Sequence, residues 1–276
     1  MDIIKTFKSP AEYLEWATKA PCQWKGVLSS RSEGGRDWAG TDTYDEAYNL
    51  AKYGWVDGLK VLKQRVEIAM ELGVQVPNAI KRYDIAGGYP DPVRAAAGDV
   101  FCMVSKGKDF KHKPVVKIRV DSSFSAEVDV DRVMKWGGAI CSYVNQLEMM
   151  GFSTQLDWFE ESFQNETKVS FGFPLKRAGE QLSLLDAVFW LAHPSSVRRI
   201  SFSAMERLDV EADFSYGYGR PSVVTKPEKD VLHLTINDAR DSVERNLERI
   251  CDKHQKILQN DPESALGQIL SGQNLD

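Results

Sequence analysis

The chain has 276 residues, 42% of them hydrophobic and 27% charged, with a formal net charge of −5 at pH 7; this suffices for one large core or two small ones, and it excludes a uniformly basic nucleic-acid binder while leaving local basic patches open. No apolar run reaches membrane-spanning length, and Met1-Asp2-Ile3-Ile4-Lys5 lacks the apolar stretch and cleavage site of a secretory signal, so a cytoplasmic location is expected. The four cysteines, Cys22, Cys102, Cys141 and Cys251, stand far apart without CxxC spacing, which points away from a zinc site or a disulfide framework and toward reduced, partly buried thiols.

In chain order, Ser9-Pro10-Ala11-Glu12 opens a short helix, with Ser9 as cap and Pro10 at the first helical position, and Tyr13, Leu14, Trp16 and Ala17 on one face. A polar stretch from Ser29 to Arg36 follows. Thr43 and Glu46 then form a capping-box pattern for a helix reaching Gly54, and Leu59, Leu62, Val66, Ile68 and Leu72 continue a helical period to Gly73. Residues 1–98 are therefore expected to be mainly helical.

The stretch Lys113–Glu160 organises the rest. Val115, Val116, Ile118 and Val120 read as a strand ending at the polar loop Asp121-Ser122-Ser123-Phe124-Ser125. From Asp129 the period changes, with Val130, Val133, Met134, Ile140, Tyr143, Val144, Leu147 and Met150 three or four apart and Gly151 past the end. Phe152 to Phe159 alternates again, so the unit is βαβ and predicts a parallel sheet. The acids Asp157, Glu160 and Glu161 fall at the expected end of this strand without forming a recognisable acid/base pair.

Lys168–Leu175 is predicted to extend the sheet, with Pro174 marking an edge or a terminus. Ser183 caps a helix that stops at Pro194, whereas Val197, Ile200, Ala204 and Leu208 fit a helix in which Ile200–Phe202 is also compatible with a strand. Val231–Ile236 is a predicted strand followed by a helix capped at Asn237, whose seam Val243, Leu247, Ile250, His254 and Ile257 suits packing on the parent domain or a homo-oligomer. The expected layout is an α/β core over 99–236, a C-terminal helix over 237–260 and a mobile tail over 261–276.

Two stretches carry binding chemistry. Lys106-Gly107-Lys108-Asp109-Phe110-Lys111-His112-Lys113 is the densest basic cluster, and Lys117 and Arg119 extend it into the central strand. Lysines that track a phosphate backbone beside an aromatic that stacks on bases can hold a single strand without reading its sequence; the bland alternative is a solvated hairpin turn. Phe214-Ser215-Tyr216-Gly217-Tyr218-Gly219-Arg220-Pro221 offers rings and a guanidinium in a Gly-rich loop, or an aromatic loop folded back on a core. The candidate nucleic-acid-binding residues are Lys106, Lys108, Phe110, Lys111, Lys113, Tyr216, Tyr218 and Arg220, with Arg31, Arg36, Arg198 and Arg199 as the next cations to consider. No phosphate loop, HExxH or Gly-x-Ser-x-Gly elbow occurs, and His193-Pro194-Ser195 reads as a helix end, so no enzyme, catalytic residue or cofactor is predicted.

Trp38-Ala39-Gly40-Thr41, Glu46-Ala47, Leu50-Ala51 and Gly54-Trp55-Val56-Asp57-Gly58 resemble the N-terminal signature of a tailed-bacteriophage protein family. Gly87-Gly88-Tyr89-Pro90-Asp91-Pro92-Val93, the strand ending at Asp121, Gly138-Ala139-Ile140, Leu191-Ala192-His193-Pro194-Ser195 with Arg198-Arg199, and Gly217-Tyr218-Gly219-Arg220-Pro221 continue the likeness in the same order. Within that neighbourhood the chain is most similar to the single-stranded-DNA-binding RNA polymerase cofactors of podoviruses. The resemblance implies a non-enzymatic protein of the host cytoplasm whose partners are single-stranded DNA and phage RNA polymerase. Separately, Asp121-x-Ser123-x-Ser125 resembles the metal-ion-dependent adhesion site of von Willebrand A domains, which implies a Rossmann-like core and, as the alternative function, a metal-dependent protein-interaction domain.

Overall fold

The computed structural model describes residues 2–23, 28–32, 34–61, 82–84, 89–90, 95, 103–105, 115–149, 152–164, 167–208, 228 and 230–260. Strand β1 (Asp2–Thr6) leads into helices α1 (Pro10–Lys19), α2 (Ser29–Ser32), α3 (Arg36–Ala39) and α4 (Tyr44–Tyr53). Short strands β2 (Arg82–Asp84), β3 (Tyr89–Pro90) and β4 (Met103–Ser105) form a small antiparallel sheet in the order β2-β4-β3. The main sheet is built from β5 (Val115–Asp121), β6 (Ser153–Gln164), β7 (Thr167–Lys176) and β8 (Val231–Thr235) together with β1, in the order β1-β7-β6-β5-β8. Helices α5 (Val130–Met149), α6 (Leu184–Ala192), α7 (Phe202–Met205) and α8 (Val243–Asn260) follow, with a π-helical segment over Ser196–Ser201 joining α6 to α7.

The predicted βαβ unit is present: β5 and β6 pair in parallel from Val115↔Ser153 to Asp121↔Phe159, with α5 between them. Asp129 starts α5 by accepting the Arg132 amide on its carboxylate at 2.7 Å, so the change of period at Asp129 is a capping event. β8 pairs in parallel on the other side of β5, while β7 returns antiparallel to β6 and carries β1 parallel to itself. The sheet is thus mixed, and the fold is α/β. Pro174 lies where β7 outruns β1, beyond the Thr6↔Gly172 pair and beside the irregularity at Leu156/Asp157, so its missing amide proton interrupts no ladder with β1.

Alternation sorts the sheet into two faces. Val116, Ile118, Val120, Leu156, Trp158, Phe171, Phe173, Leu232 and Leu234 are buried in one cluster with Tyr13 and Leu14 of α1 and the inner faces of α5 and α6. Tyr13 sits within 5.2–5.7 Å of the rings of Trp158, Phe171, Phe173 and Trp190, so the N-terminal helix is part of the main core. The opposite face is polar: Lys117, Arg119, Asp121, Gln155, Asp157, Phe159, Glu161, Lys168, Ser170 and His233.

Several boundaries differ from the sequence reading. β1 was not expected; its five residues show no alternation, and its partner lies more than 160 residues away in β7. β6 does not end at Phe159 but runs on through Glu160 and Glu161, both buried. Ile200–Phe202 is helical, passing from the π-helical segment into α7. Asn237 caps no long helix: Thr235 caps a 3-10 turn over Ile236–Asp238, and α8 begins only at Val243, where Ser242 accepts the Arg245 amide. Glu46 closes its box one residue early, accepting from Asp42 N at 2.9 Å, while Thr43 caps α4 as expected. The apolar seam of α8 packs on α5 of the same chain, with Leu247, Ile250 and His254 buried and Tyr143 hydrogen-bonded to His254 Nδ1, so the seam proposed for subunit association is already covered.

Candidate functional site

Two parts of the resemblance, Trp38–Thr41 and His193–Arg199, meet in the interior. The Ser195 hydroxyl donates to Ala39 O and lies 2.9 Å from Thr41 Oγ1. Arg198, 2% exposed, donates to the carbonyls of Trp38, Ser125, Ala126 and Val128, and its guanidinium lies 4.8 Å from the Trp38 ring and 4.9 Å from the Phe124 ring. Arg199 reaches the carbonyls of Ser30, Gly34 and Thr41. Five donors in a rigid fork allow one arginine to satisfy several carbonyls of irregular backbone at once. The wide turn of the π-helical segment lets both adjacent arginines point inward. Gly40 makes the approach work: at φ +80°, a Cβ there would lie 2.8 Å from both Pro194 Cγ and His193 Cε1. These residues clamp the loop after β5 to the N-terminal helices.

The same contacts remove a Ser/His catalytic arrangement. His193 Nδ1 accepts the Ser195 backbone amide at 3.1 Å, not the Ser195 hydroxyl, and burial pushes the His193 pKa down to about 3. Its ring stacks on Phe189 and meets Trp55 edge-on, a core histidine held neutral.

The carboxyl end of β5 is a topological switch point, since the chain passes from β5 to β6 on one side and reaches β8 on the other. A cavity of about 10 Å³, room for a single water, lies there among Asp121, Phe124, Trp136, Trp190, Ser196 and Ile236. Burial raises the Asp121 pKa to about 6 against the opposing hydrogen bonds from Ser123, and burial raises Glu160 to about 7 with Asp121 adding to the effect. Glu160 lies on the apolar face opposite Phe171, whereas Glu161 lies on the polar face, paired with Lys168 at 2.7 Å. Glu160 and Glu161 therefore face opposite sides of the sheet, and no group of three or more His, Cys, Asp or Glu side chains among the described residues is arranged to hold a metal. The Ser123 hydroxyl bridges Glu161 O at 2.8 Å and Glu161 N at 2.7 Å, and Asp121 Oδ1 accepts the Ser123 amide. The Ser123 hydroxyl is thus engaged in locking the end of β5 to β6, and one Asp121 oxygen is engaged by the Ser123 amide, which does not favour a metal site.

The polar face of the sheet has a different character. Arg119 lies with its guanidinium 5.4 Å from the Phe159 ring, opposite His233 on β8 and Asp157 on β6, and pairs with Glu228. Lys117, two residues earlier on the same face, is exposed, as is Val115 at 43%. This cation-and-ring grouping needed the pairing of β5 with β6; the one signal in the sequence was the alternation Lys117-x-Arg119 running on from the basic cluster.

A family model matches residues 2–259. The chain belongs to that family, the domain of unknown function DUF7192. No curated protein and no solved structure matches it. In this DUF7192 chain the sequence-predicted residues Lys106, Lys108, Phe110, Lys111, Lys113, Tyr216, Tyr218 and Arg220 all lie outside the described residues. Of the secondary cations, Arg198 and Arg199 serve the interior, Arg36 pairs with Asp42 and Glu46 at 2.8 Å, and Arg31 lies over the Tyr44 ring at 4.6 Å. Among the described residues no helix is long and apolar enough to cross a membrane.

Proposed function

We propose that this DUF7192 chain binds single-stranded DNA without base readout and connects it to phage RNA polymerase in the host cytoplasm, as a cofactor without catalytic activity of its own. The observation that supports the reading is the grouping on the central strand: the basic cluster in the sequence runs directly into β5, whose polar face presents Lys117 and an arginine over the Phe159 ring. A positive track beside an aromatic is the chemistry that holds an unpaired strand. The acids Asp157 and Glu161 on β6 set one margin, so the strand's path follows β5 and β8. A Rossmann-like, von Willebrand A-like core agrees with the parallel β6-β5-β8 arrangement, and the metal-dependent alternative is disfavoured by the engaged Ser123 hydroxyl.

The test is binding of a labelled oligonucleotide as a single strand and as a duplex of equal length over a salt series. Single strands bind more tightly, with affinity falling steeply as salt rises, because neutralised phosphates release counterions while only the unpaired strand exposes base faces. Equal affinity for the duplex, or an affinity indifferent to salt, refutes the proposal.

A further inference from the structure

Glu228 occupies an unusual place on the polar face. Its carboxylate pairs with Arg119 Nη1, and its backbone amide donates to His233 Nε2 at 3.0 Å, which fixes the carboxylate over the sheet. The Glu228 side chain remains 55% exposed and that of Arg119 30% exposed. Arg119 is held on its other sides: Phe159 lies under its guanidinium, and Asp157, engaged by Gln155 at 2.8 Å, stands opposite on β6. An exposed pair of this kind contributes little to stability and is easily exchanged for another anion. Burial lowers the pKa of His233 ahead of any charge effect, so its ring is a neutral acceptor for the Glu228 amide.

We infer that Arg119 is a phosphate site of the nucleic-acid surface, with Lys117 as its neighbour, and that the Glu228 carboxylate is an internal stand-in that an incoming strand displaces. This rests on the single-stranded-DNA reading above. The planar guanidinium, supported by a ring and already paired with a carboxylate, presents the fork that suits a phosphate oxygen pair. Lys117 stands about 7 Å away along the strand on the same face, so the two cations meet successive parts of one extended backbone. The carboxylate shields Arg119 from adventitious anions and sets a threshold that a polyanion, with several contacts at once, overcomes.

The experiment measures binding of labelled oligothymidylate by fluorescence anisotropy, over a salt series, for wild type, Glu228→Gln, Arg119→Ala and the double variant, with melting curves confirming that each is folded. Glu228→Gln binds about 2- to 5-fold more tightly. Arg119→Ala binds more weakly and lowers the slope of log affinity against log salt by about 0.7, one phosphate contact. In the double variant the gain from Glu228→Gln vanishes. If wild type binds and Glu228→Gln is unchanged or weaker, the stand-in is refuted while the DNA reading survives. An equal gain with or without Arg119 reflects general removal of negative charge, and the Arg119 site is refuted. If neither wild type nor Glu228→Gln binds, the proposed function fails and this inference with it.

Discussion

Glu160 offers the sharpest test of how the interior is built. It lies 1% exposed on the apolar face of β6, opposite Phe171, with one carboxylate oxygen accepting from Ser162 at 3.2 Å. A carboxylate there would be a buried charge with no cation beside it, so the group is expected to hold its proton; burial, above all, raises its pKa from 4.5 to about 7. The folded state therefore keeps a proton that the unfolded chain releases. The associated stability is fully present below the unfolded value of 4.5, declines by about 1.4 kcal/mol per pH unit above it, and is lost once the pH passes the folded value. The total is of order 3 kcal/mol. Glu160→Gln keeps the shape and removes the titration. Urea unfolding of both proteins from pH 5 to pH 8.5 should show the variant close to wild type at pH 5 and more stable by up to about 3 kcal/mol at pH 8. Other groups titrate in this window: Asp121 adds a decline of the same sign, and the depressed histidines His193 and His254 add stability that is lost as pH falls below their unfolded value. The histidines are common to both proteins and cancel, so the difference between the two curves reports Glu160 together with its coupling to Asp121. Parallel curves across the range would refute the claim that Glu160 folds as a neutral acid.

Four further outcomes are expected. Arg198→Lys should destabilise by about 3 kcal/mol in urea unfolding, because an ammonium cannot serve the four carbonyls and two rings that the guanidinium joins. Gly40→Ala should cost about 1–3 kcal/mol, measured as a fall in melting temperature, since φ +80° and contacts at 2.8 Å oppose any Cβ. Lys117→Ala should reduce the salt slope of oligonucleotide binding by about 0.7 and leave the fold intact, as expected of an exposed cation that meets one phosphate. Asp121→Asn should flatten the pH dependence of stability between about 4 and 6 with the sign found for Glu160, and titration curves of the variant and wild type that coincide would refute its raised pKa.

The parts of the fold that could be read in the sequence were those governed by local rules. The β5-α5-β6 unit announced itself through a change from period two to period three and four, and Ser9, Thr43 and Ser183 each accept the amide three residues on, as their capping positions required. What was hidden depended on pairings distant in sequence. β1 becomes a strand only because β7 offers it an edge. β6 looked finished at Phe159 because two consecutive glutamates suggest solvent; both are buried, one compensated by Lys168 across the hairpin and the other by keeping a proton. Polarity marks an exposed end only when nothing distant neutralises it.

The same distinction separates the motifs from the site. Trp38-Ala39-Gly40-Thr41 and His193-Pro194-Ser195 stood out as sequence words, and the structure joins them through a hydroxyl, a glycine with no room for a methyl group and two inward arginines. Such words are rigid because each residue fills a place that few others fit. A surface that holds a nucleic-acid backbone works under weaker demands: any exposed cation at a suitable spacing neutralises a phosphate, and any ring offers a face for stacking. Its residues need not form a recognisable motif, and those of the surface proposed above, Lys117, Arg119, Phe159, His233 and Glu228, come from three strands and one loop position. The conspicuous motifs thus report how the loop after β5 is held in place, and the proposed binding surface rests on the less conspicuous alternation on the opposite face. If single-strand binding proves to depend on Arg198 while the fold survives its replacement by lysine, that separation is wrong, because a guanidinium committed to four carbonyls has no fork left for a phosphate.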